Sequence, residues 1–90
     1  MSNLGNAYAR LGETYRAVEL YKQALLISRD MGDRRSEGIV LFNTGLTLDE
    51  LGDRAQAIIY VEAALEVYEQ IESPSAERAR AKLAEWRGEG

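Results

Sequence analysis

Few residues in the chain could perform chemistry, and their spacing does not assemble a reactive site. The 90 residues include no histidine and no cysteine, so the commonest general base, the commonest zinc ligand and any thiol nucleophile are missing. Asp49 and Glu50 are consecutive and would point to different sides of a helix, so they do not form a carboxylate pair. A serine nucleophile needs a base, but neither a histidine nor a suitably placed lysine is available to Ser28, Ser36, Ser73 or Ser75. We therefore predict no enzyme activity, no catalytic residue and no cofactor.

The charged residues favour solvated surfaces over a nucleic-acid or metal site. Fifteen acidic residues against eleven basic ones give a net charge of -4, which disfavours binding to phosphate backbones. Arg34 and Arg35 form too short a run for a nucleic-acid patch. No loop resembles an EF-hand, so we expect no metal site in the acidic ridge. This ridge consists of Glu62, Glu66, Glu69 and Glu72.

The sequence also contains no segment that predicts a membrane association. No stretch approaches the roughly 18 to 20 apolar residues that are needed to cross a bilayer. The first residues lack the basic start and apolar middle of a signal peptide. We therefore expect a cytoplasmic protein with no membrane partner.

The strongest pattern in the sequence is an internal repeat with a period of forty residues. Small residues recur in register where two helices would approach closely, and glycines recur where a helix would end. The identical pairs are Asn3 with Asn43, Gly5 with Gly45, Leu11 with Leu51, Gly12 with Gly52, Ala17 with Ala57, Ala24 with Ala64, and Leu25 with Leu65. Two unrelated amphipathic helices would not usually share both glycines and both alanines in register, so the pattern indicates an internal repeat.

Apolar residues at helical spacing, together with helix-ending signals, predict five helices and no strand. Gly32 and Gly52 are expected to end helices, and the aspartates that follow them are expected to cap the next helices. Ser73 is expected to cap the last helix, with Pro74 in its first turn. The helices are predicted over residues 2–11, 14–31, 34–51, 54–71 and 74–86, with the first ended by Gly12.

The residues at these repeat positions resemble the tetratricopeptide repeat, a helix–turn–helix unit. The first unit supplies Leu4, Gly5, Tyr8, Gly12, Ala17, Tyr21 and Ala24. The second unit supplies Gly45, Leu48, Gly52, Ala57, Val61 and Ala64. The period is forty rather than about thirty-four residues, which is similar to the repeats of kinesin light chains, Leu-Gly-Asn repeat proteins and many bacterial signalling proteins.

The resemblance implies an all-α fold, an alpha-alpha superhelix of antiparallel helix pairs with about two units and a C-terminal capping helix. Residues 1–32 would form the first unit, with a truncated helix A and a helix B, residues 33–72 the second unit, and residues 73–90 the capping helix and tail. Ala81 and Glu85 of the last helix are small or charged, which predicts a solvated face that closes the C-terminal end of an array. At the N-terminal side we expect an open repeat edge, as in a chain cut from a longer array.

The resemblance also implies a non-catalytic scaffold that binds a protein partner, as a peptide or helix, in a concave groove. Phe42, Leu46 and Trp86 would be apolar anchors for the partner, because aromatic residues carry much interface energy. Alternatively, Phe42 and Trp86 cover each other or seal the edge of the core. The groove would be lined by Asn6, Arg10, Ile39, Phe42, Asn43, Leu46, Asp49, Lys82 and Trp86.

Two alternatives to groove binding remain open. The open N-terminal edge would let the chain assemble into a homo-oligomer, and the repeats would alternatively regulate a larger signalling protein. Capture of a C-terminal carboxylate is not expected, because Asn6 occupies the family's asparagine position but Ser2 stands where the lysine is needed.

Overall fold

A computed structural model describes residues 3–88, with side chains described from residue 11 onward. The described residues form four α-helices and no strand, which confirms the all-α prediction. The helices are α1 (Asn3–Met31), α2 (Arg34–Glu50), α3 (Arg54–Gln70) and α4 (Ala76–Trp86). Each helix packs against the next one along the chain, and short turns make these neighbours antiparallel.

Two of the turns follow the predicted glycine–aspartate pattern. Gly32 and Gly52 have φ angles of +68° and +86°, a left-handed conformation that glycine adopts without steric cost. The Asp33 carboxylate accepts a hydrogen bond from the backbone N–H of Ser36 at 3.1 Å, and Asp53 accepts from the N–H of Gln56 at 3.1 Å. These contacts confirm the predicted helix ends and both predicted caps.

The predicted helix end at Gly12 is wrong, because α1 passes through this residue as one helix of 29 residues. Gly12 lacks the positive φ angle of the two turn glycines. It is followed by Glu13 instead of an aspartate, and glutamate is not among the preferred N-cap residues. Without a cap for a new helix, continuing α1 costs only the weak helix propensity of one glycine. The first two predicted helices are therefore a single element.

The predicted start of the last helix is also wrong by two residues. α4 begins at Ala76, after a turn that contains Ser73 and Pro74. Ser73 still uses its side chain locally, since its Oγ accepts a hydrogen bond from the N–H of Ser75 at 3.1 Å. Ala76, Ala79 and Leu83 of this helix are buried, and α4 packs against α3.

The core lies between α2 and its neighbours, and small residues allow a close approach there. A Cβ added at Gly45 would lie 2.6 Å from Val61 Cγ2 and 3.0 Å from the carbonyl oxygen of Ala57. Such distances leave no room for a side chain, so α2 and α3 meet nearly backbone to backbone, as the repeat predicts. The buried cluster is Leu25, Leu41, Phe42, Val61, Ala64, Val67, Tyr68, Ala76, Ala79 and Leu83.

A buried carboxylate links α1 to the rest of the molecule. Glu37 is buried at the start of α2, where it accepts from Arg34 Nη1 at 2.9 Å and from Arg29 Nε of α1 at 3.2 Å. Arg34 also donates to the Gln70 side chain of α3. This network supplies the hydrogen bonds that a buried carboxylate requires, and it ties three helices together.

Candidate partner-binding groove

Two helices that are not adjacent in the chain, α2 and α4, face each other across a notch of about 380 Å³. α3 holds them apart, because both pack on it. We call this notch the α2–α4 groove. The notch is lined by Phe42, Leu46, Arg78, Ala81, Lys82 and Glu85.

The floor of the groove is an aromatic ring beneath a cation. Phe42 is only 6% exposed and belongs to the core cluster, so it lines the groove while also sealing the edge of the core. The Arg78 guanidinium lies 5.4 Å from the centre of the Phe42 ring, within range of a cation–π contact. No carboxylate of the described residues pairs with Arg78, so its N–H groups are available to an acceptor from another molecule.

The end of the notch at Lys82 adjoins Trp86, which is not itself among the lining residues. This half-buried side chain packs against the core, and two cations lie over its ring, Arg54 at 5.3 Å and Lys82 at 5.9 Å. Both cations already have carboxylate partners, since Arg54 pairs with Asp49 at 2.6 Å and Lys82 with Glu85 at 3.0 Å. Charge is therefore locally compensated at this end, in contrast to the Arg78 end.

Tyr68 of α3, which feels the charge of Arg78 but does not line the notch, stays uncharged at neutral pH. Burial raises the pKa of Tyr68 above its usual value, and the positive charge of Arg78 opposes this shift in part. Tyr68 packs under the α2 backbone, where a Cβ on Gly38 would meet its ring at 2.7 Å.

The structure brings together part of the predicted groove. Ile39 lies apart from the notch, in a separate pocket of about 350 Å³ formed with the turn before α4. Asn43 is half-buried on α2, and Asp49 is occupied by its ion pair with Arg54. Asn6 and Arg10 fall outside the residues whose side chains are described.

Three residues that the sequence reasoning did not place in the groove line it: Arg78, Ala81 and Glu85. Lys82 was predicted, and Arg78 stands one helical turn before it, while Ala81 is its direct neighbour. Spacing of four residues along α4 is the signal that would have pointed to Arg78. The position of Phe42 next to Arg78 depends on how α2 and α4 lie relative to each other, which the spacing within either helix does not give.

Other kinds of site find no support in the described residues. Within residues 3–88, no three histidine, cysteine, aspartate or glutamate side chains cluster as metal ligands would. None of the four helices is long and apolar enough to span a membrane.

Comparisons with known proteins agree with the helical-hairpin architecture. The sequence model of the tetratricopeptide repeat family matches residues 1–70. Human G-protein-signaling modulator 1 is 45% identical over 58 residues, which is 64% of this chain but only 9% of that protein. No solved structure gives a significant match.

Proposed function

The chain belongs to the tetratricopeptide repeat family, and from this membership we propose that it is a non-catalytic interaction module that holds a peptide or helix of a partner protein in the α2–α4 groove. Repeats of this family indicate protein–protein interaction. Residues 33–72 form one repeat unit in this proposal, residues 1–32 belong to another, and residues 73–90 hold the capping helix. The forty-residue period supports the kinesin light chain and Leu-Gly-Asn type as part of this proposal, and a cytoplasmic setting belongs to the same proposal.

The observation that carries the proposal is the free Arg78 guanidinium over the apolar floor of the groove. A segment with an apolar side chain next to a carboxylate fits this arrangement. The apolar group would lie against Leu46 and Ala81, and the carboxylate would accept hydrogen bonds from Arg78. Hydrogen bonds to charged groups contribute about 1.5–3 kcal/mol each, so one such contact would influence affinity strongly.

Substitution of Phe42 does not test this proposal cleanly. Its ring is part of the core, and removing a buried aromatic side chain typically costs about 3–5 kcal/mol. A loss of binding in Phe42→Ala would therefore report unfolding as readily as a lost contact. Residues at the groove surface give a better test.

The steric test uses two exposed alanines. Ala81 lines the notch, whereas Ala55 lies on α3 and is not among its lining residues. Peptides selected from a random display library on the wild-type chain are measured by fluorescence anisotropy. We expect Ala81→Trp to abolish binding of the selected peptides and Ala55→Trp to leave it unchanged. Equal binding by both variants would show that the groove is not the binding surface.

The charge test uses two arginines of the same helix. Arg78→Gln removes the free guanidinium, whereas Arg80→Gln removes one that already pairs with Glu69. For peptides that contain a carboxylate, we expect the first change to raise the dissociation constant about tenfold or more, since about 1.4 kcal/mol corresponds to tenfold. A matching loss with Arg80→Gln would point to general electrostatic attraction instead of a contact at Arg78.

A second candidate function is that this chain is a regulatory repeat segment of a larger signalling protein. The identity with human G-protein-signaling modulator 1, a much longer protein, favours it. Partners captured by the wild-type chain and lost with Ala81→Trp would then include components of G-protein signalling. Captured sets without any such component would leave the peptide-binding proposal in place and contradict this one.

A further inference from the structure

An apolar row runs along α1 on a side that none of the described helices covers. Three of its side chains are largely exposed, namely Leu20 at 57%, Ile27 at 59% and Met31 at 73%. Two half-buried alanines complete it. We call this row the α1 seam, and its residues are Ala17, Leu20, Ala24, Ile27 and Met31.

The spacing of the α1 seam matches the contact surface of a helix pair. Its residues follow one another at intervals of three, four, three and four, which are the a and d positions of two heptads. Every one of these positions is apolar. A row of this kind packs against another helix when one is available, and exposed apolar rows of this length mark interaction surfaces.

The internal repeat identifies the kind of element that fits the α1 seam. Forty residues later, Ala57 and Ala64 of α3 are 0% exposed and Val67 is 5% exposed. The antiparallel helix α2 covers them, since a Cβ on Gly45 would lie 3.0 Å from the Ala57 carbonyl oxygen, and one on Gly38 would lie 3.3 Å from a Val67 methyl group. The equivalent surface of α1 is therefore shaped for an antiparallel helix.

The α1 seam is complementary to a second copy of itself in the antiparallel orientation. Pairing Ala24 with the partner's Leu20 also pairs Ala17 with the partner's Ile27, because both sums of residue numbers equal 44. The layers formed by Ala17, Leu20, Ala24 and Ile27 then each set an alanine against a larger residue, which is the arrangement that fills the space between two helices. Met31 lies beyond these layers, opposite the partner's Glu13. A parallel arrangement would instead stack alanine beside alanine and leave gaps.

The charges beside the α1 seam fit the same arrangement. Arg16, Gln23 and Asp30 flank one side of the seam at intervals of seven. In the antiparallel pairing, Arg16 faces the partner's Asp30 and Gln23 faces the partner's Gln23. Neither Arg16 nor Asp30 has an ion-pair partner among the described residues, so both are free to pair across the two copies.

We propose that the α1 seam is a self-association surface, on which a second copy of this chain lays its own α1 antiparallel. By the two-fold symmetry of such a dimer, each kind of layer, in which an alanine packs against a larger residue, occurs twice. The Arg16–Asp30 pair also occurs twice. The surface is separate from the α2–α4 groove, so the dimer does not depend on groove binding.

The mass of the 90-residue chain in solution tests the proposal. Sedimentation equilibrium over a range of concentrations should show a species of twice the 10.1 kDa chain mass. Leu20→Glu should raise the dimer dissociation constant on the order of a hundredfold, because it buries two carboxylates in the interface. The matched control is Leu26→Glu, which changes the same residue type on the same helix at 63% exposure. Leu26 lies about 120° around α1 from Leu20, so this variant should dimerise like the wild type.

Circular dichroism should show both variants folded, because each side chain is exposed in the isolated chain. A wild-type chain that stays monomeric up to millimolar concentration would overturn the proposal. So would a dimer that Leu26→Glu disrupts and Leu20→Glu does not. A monomer that binds an added amphipathic helix through Leu20 would also overturn it, in favour of a different protein as the occupant.

A single cysteine tests the orientation, since the chain has none of its own. Gln23→Cys should cross-link two copies with a short bismaleimide, because the antiparallel register brings the two Gln23 positions together. Lys22→Cys lies about 100° around the helix from it and should not. Reversing one charge with Arg16→Asp should weaken the dimer, and adding Asp30→Arg should restore it. Cross-linking at Lys22 alone, or no rescue by the second charge reversal, would contradict this register.

Discussion

The two helices α1 and α3 carry the same repeat pattern but stand in different surroundings. Ala57 and Ala64 of α3 are fully buried, whereas Ala17 and Ala24, forty residues earlier, are half-buried. The contrast is larger at the next apolar position of the pattern, where Val67 of α3 is buried and its α1 equivalent, Ile27, is mostly exposed.

This difference comes from the neighbours of each helix and not from the residue types. α3 packs between α2 and α4, while α1 packs against α2 along one side. A repeat sequence therefore specifies an apolar surface, and burial depends on which helix reaches that surface. The same pattern that forms the core at α3 is available to another molecule at α1.

The largest effect that separates the two helices is a buried charge at equivalent positions. Val67→Asp should destabilise the fold by at least about 3 kcal/mol, because it places a carboxylate without a partner in the core. Ile27→Asp should change the free energy of unfolding by less than about 0.5 kcal/mol in dilute solution, because surface substitutions rarely exceed this range. Urea denaturation followed by circular dichroism measures both. Similar losses for the two variants would mean that α1 is covered as α3 is.

A smaller contrast separates the glycines of α2 and α1. Gly45→Ala should destabilise the fold by about 1–3 kcal/mol, since the added methyl group would overlap Val61 and the Ala57 carbonyl oxygen. Gly12→Ala should stabilise it by about 0.5–1 kcal/mol, since a Cβ there meets nothing within 4 Å and alanine favours a helix. Thermal unfolding of both variants checks the two signs. A destabilising Gly12→Ala would indicate that the chain turns at this glycine instead of continuing as α1.

The fold was predictable from the sequence where local signals and packing agree. At Gly32 and Gly52, a glycine that accepts a left-handed conformation is followed by an aspartate that caps the next helix, so both turns are encoded locally. Gly12 has the glycine without the cap, and periodicity alone suggested a helix end that does not occur. A repeat position predicts a turn only when the residues around it supply the hydrogen bonds.

The groove was predictable only in part, because its residues come from two helices that are far apart in the sequence. Phe42, Leu46 and Lys82, which the register predicts for the groove, line the notch, and their role in binding stays a prediction. The register left open whether Phe42 seals the edge of the core, and it did not reveal that Arg78 lies over the Phe42 ring. Both facts depend on how α4 packs against α3, which the spacing of residues within α4 does not determine.

The smallest expected effect distinguishes the two aspartate-capped turns. Asp33 accepts hydrogen bonds from both the hydroxyl of Ser36, at 2.7 Å, and its backbone N–H. At the second turn, Gln56 occupies the position equivalent to Ser36 and has no hydroxyl group. The hydroxyl hydrogen bond, followed by the backbone one, lowers the pKa of Asp33 below its ordinary value of 3.8. Its contribution to stability is therefore present above that value and is lost as the pH falls through the lowered pKa.

Ser36→Ala should move the pKa of Asp33 back toward its ordinary value while leaving the backbone cap in place. NMR titration of the Asp33 carboxyl measures this shift, and unfolding at pH 7 and at pH 3 measures its consequence. The wild type should lose more stability between these pH values than Ser36→Ala does, because the hydroxyl bond favours the charged carboxylate. Gln56→Ala, at the second turn, should keep the pH dependence of the wild type. If Ser36→Ala also keeps it, the backbone N–H alone sets the charge state of Asp33 and the two turns are electrostatically equivalent.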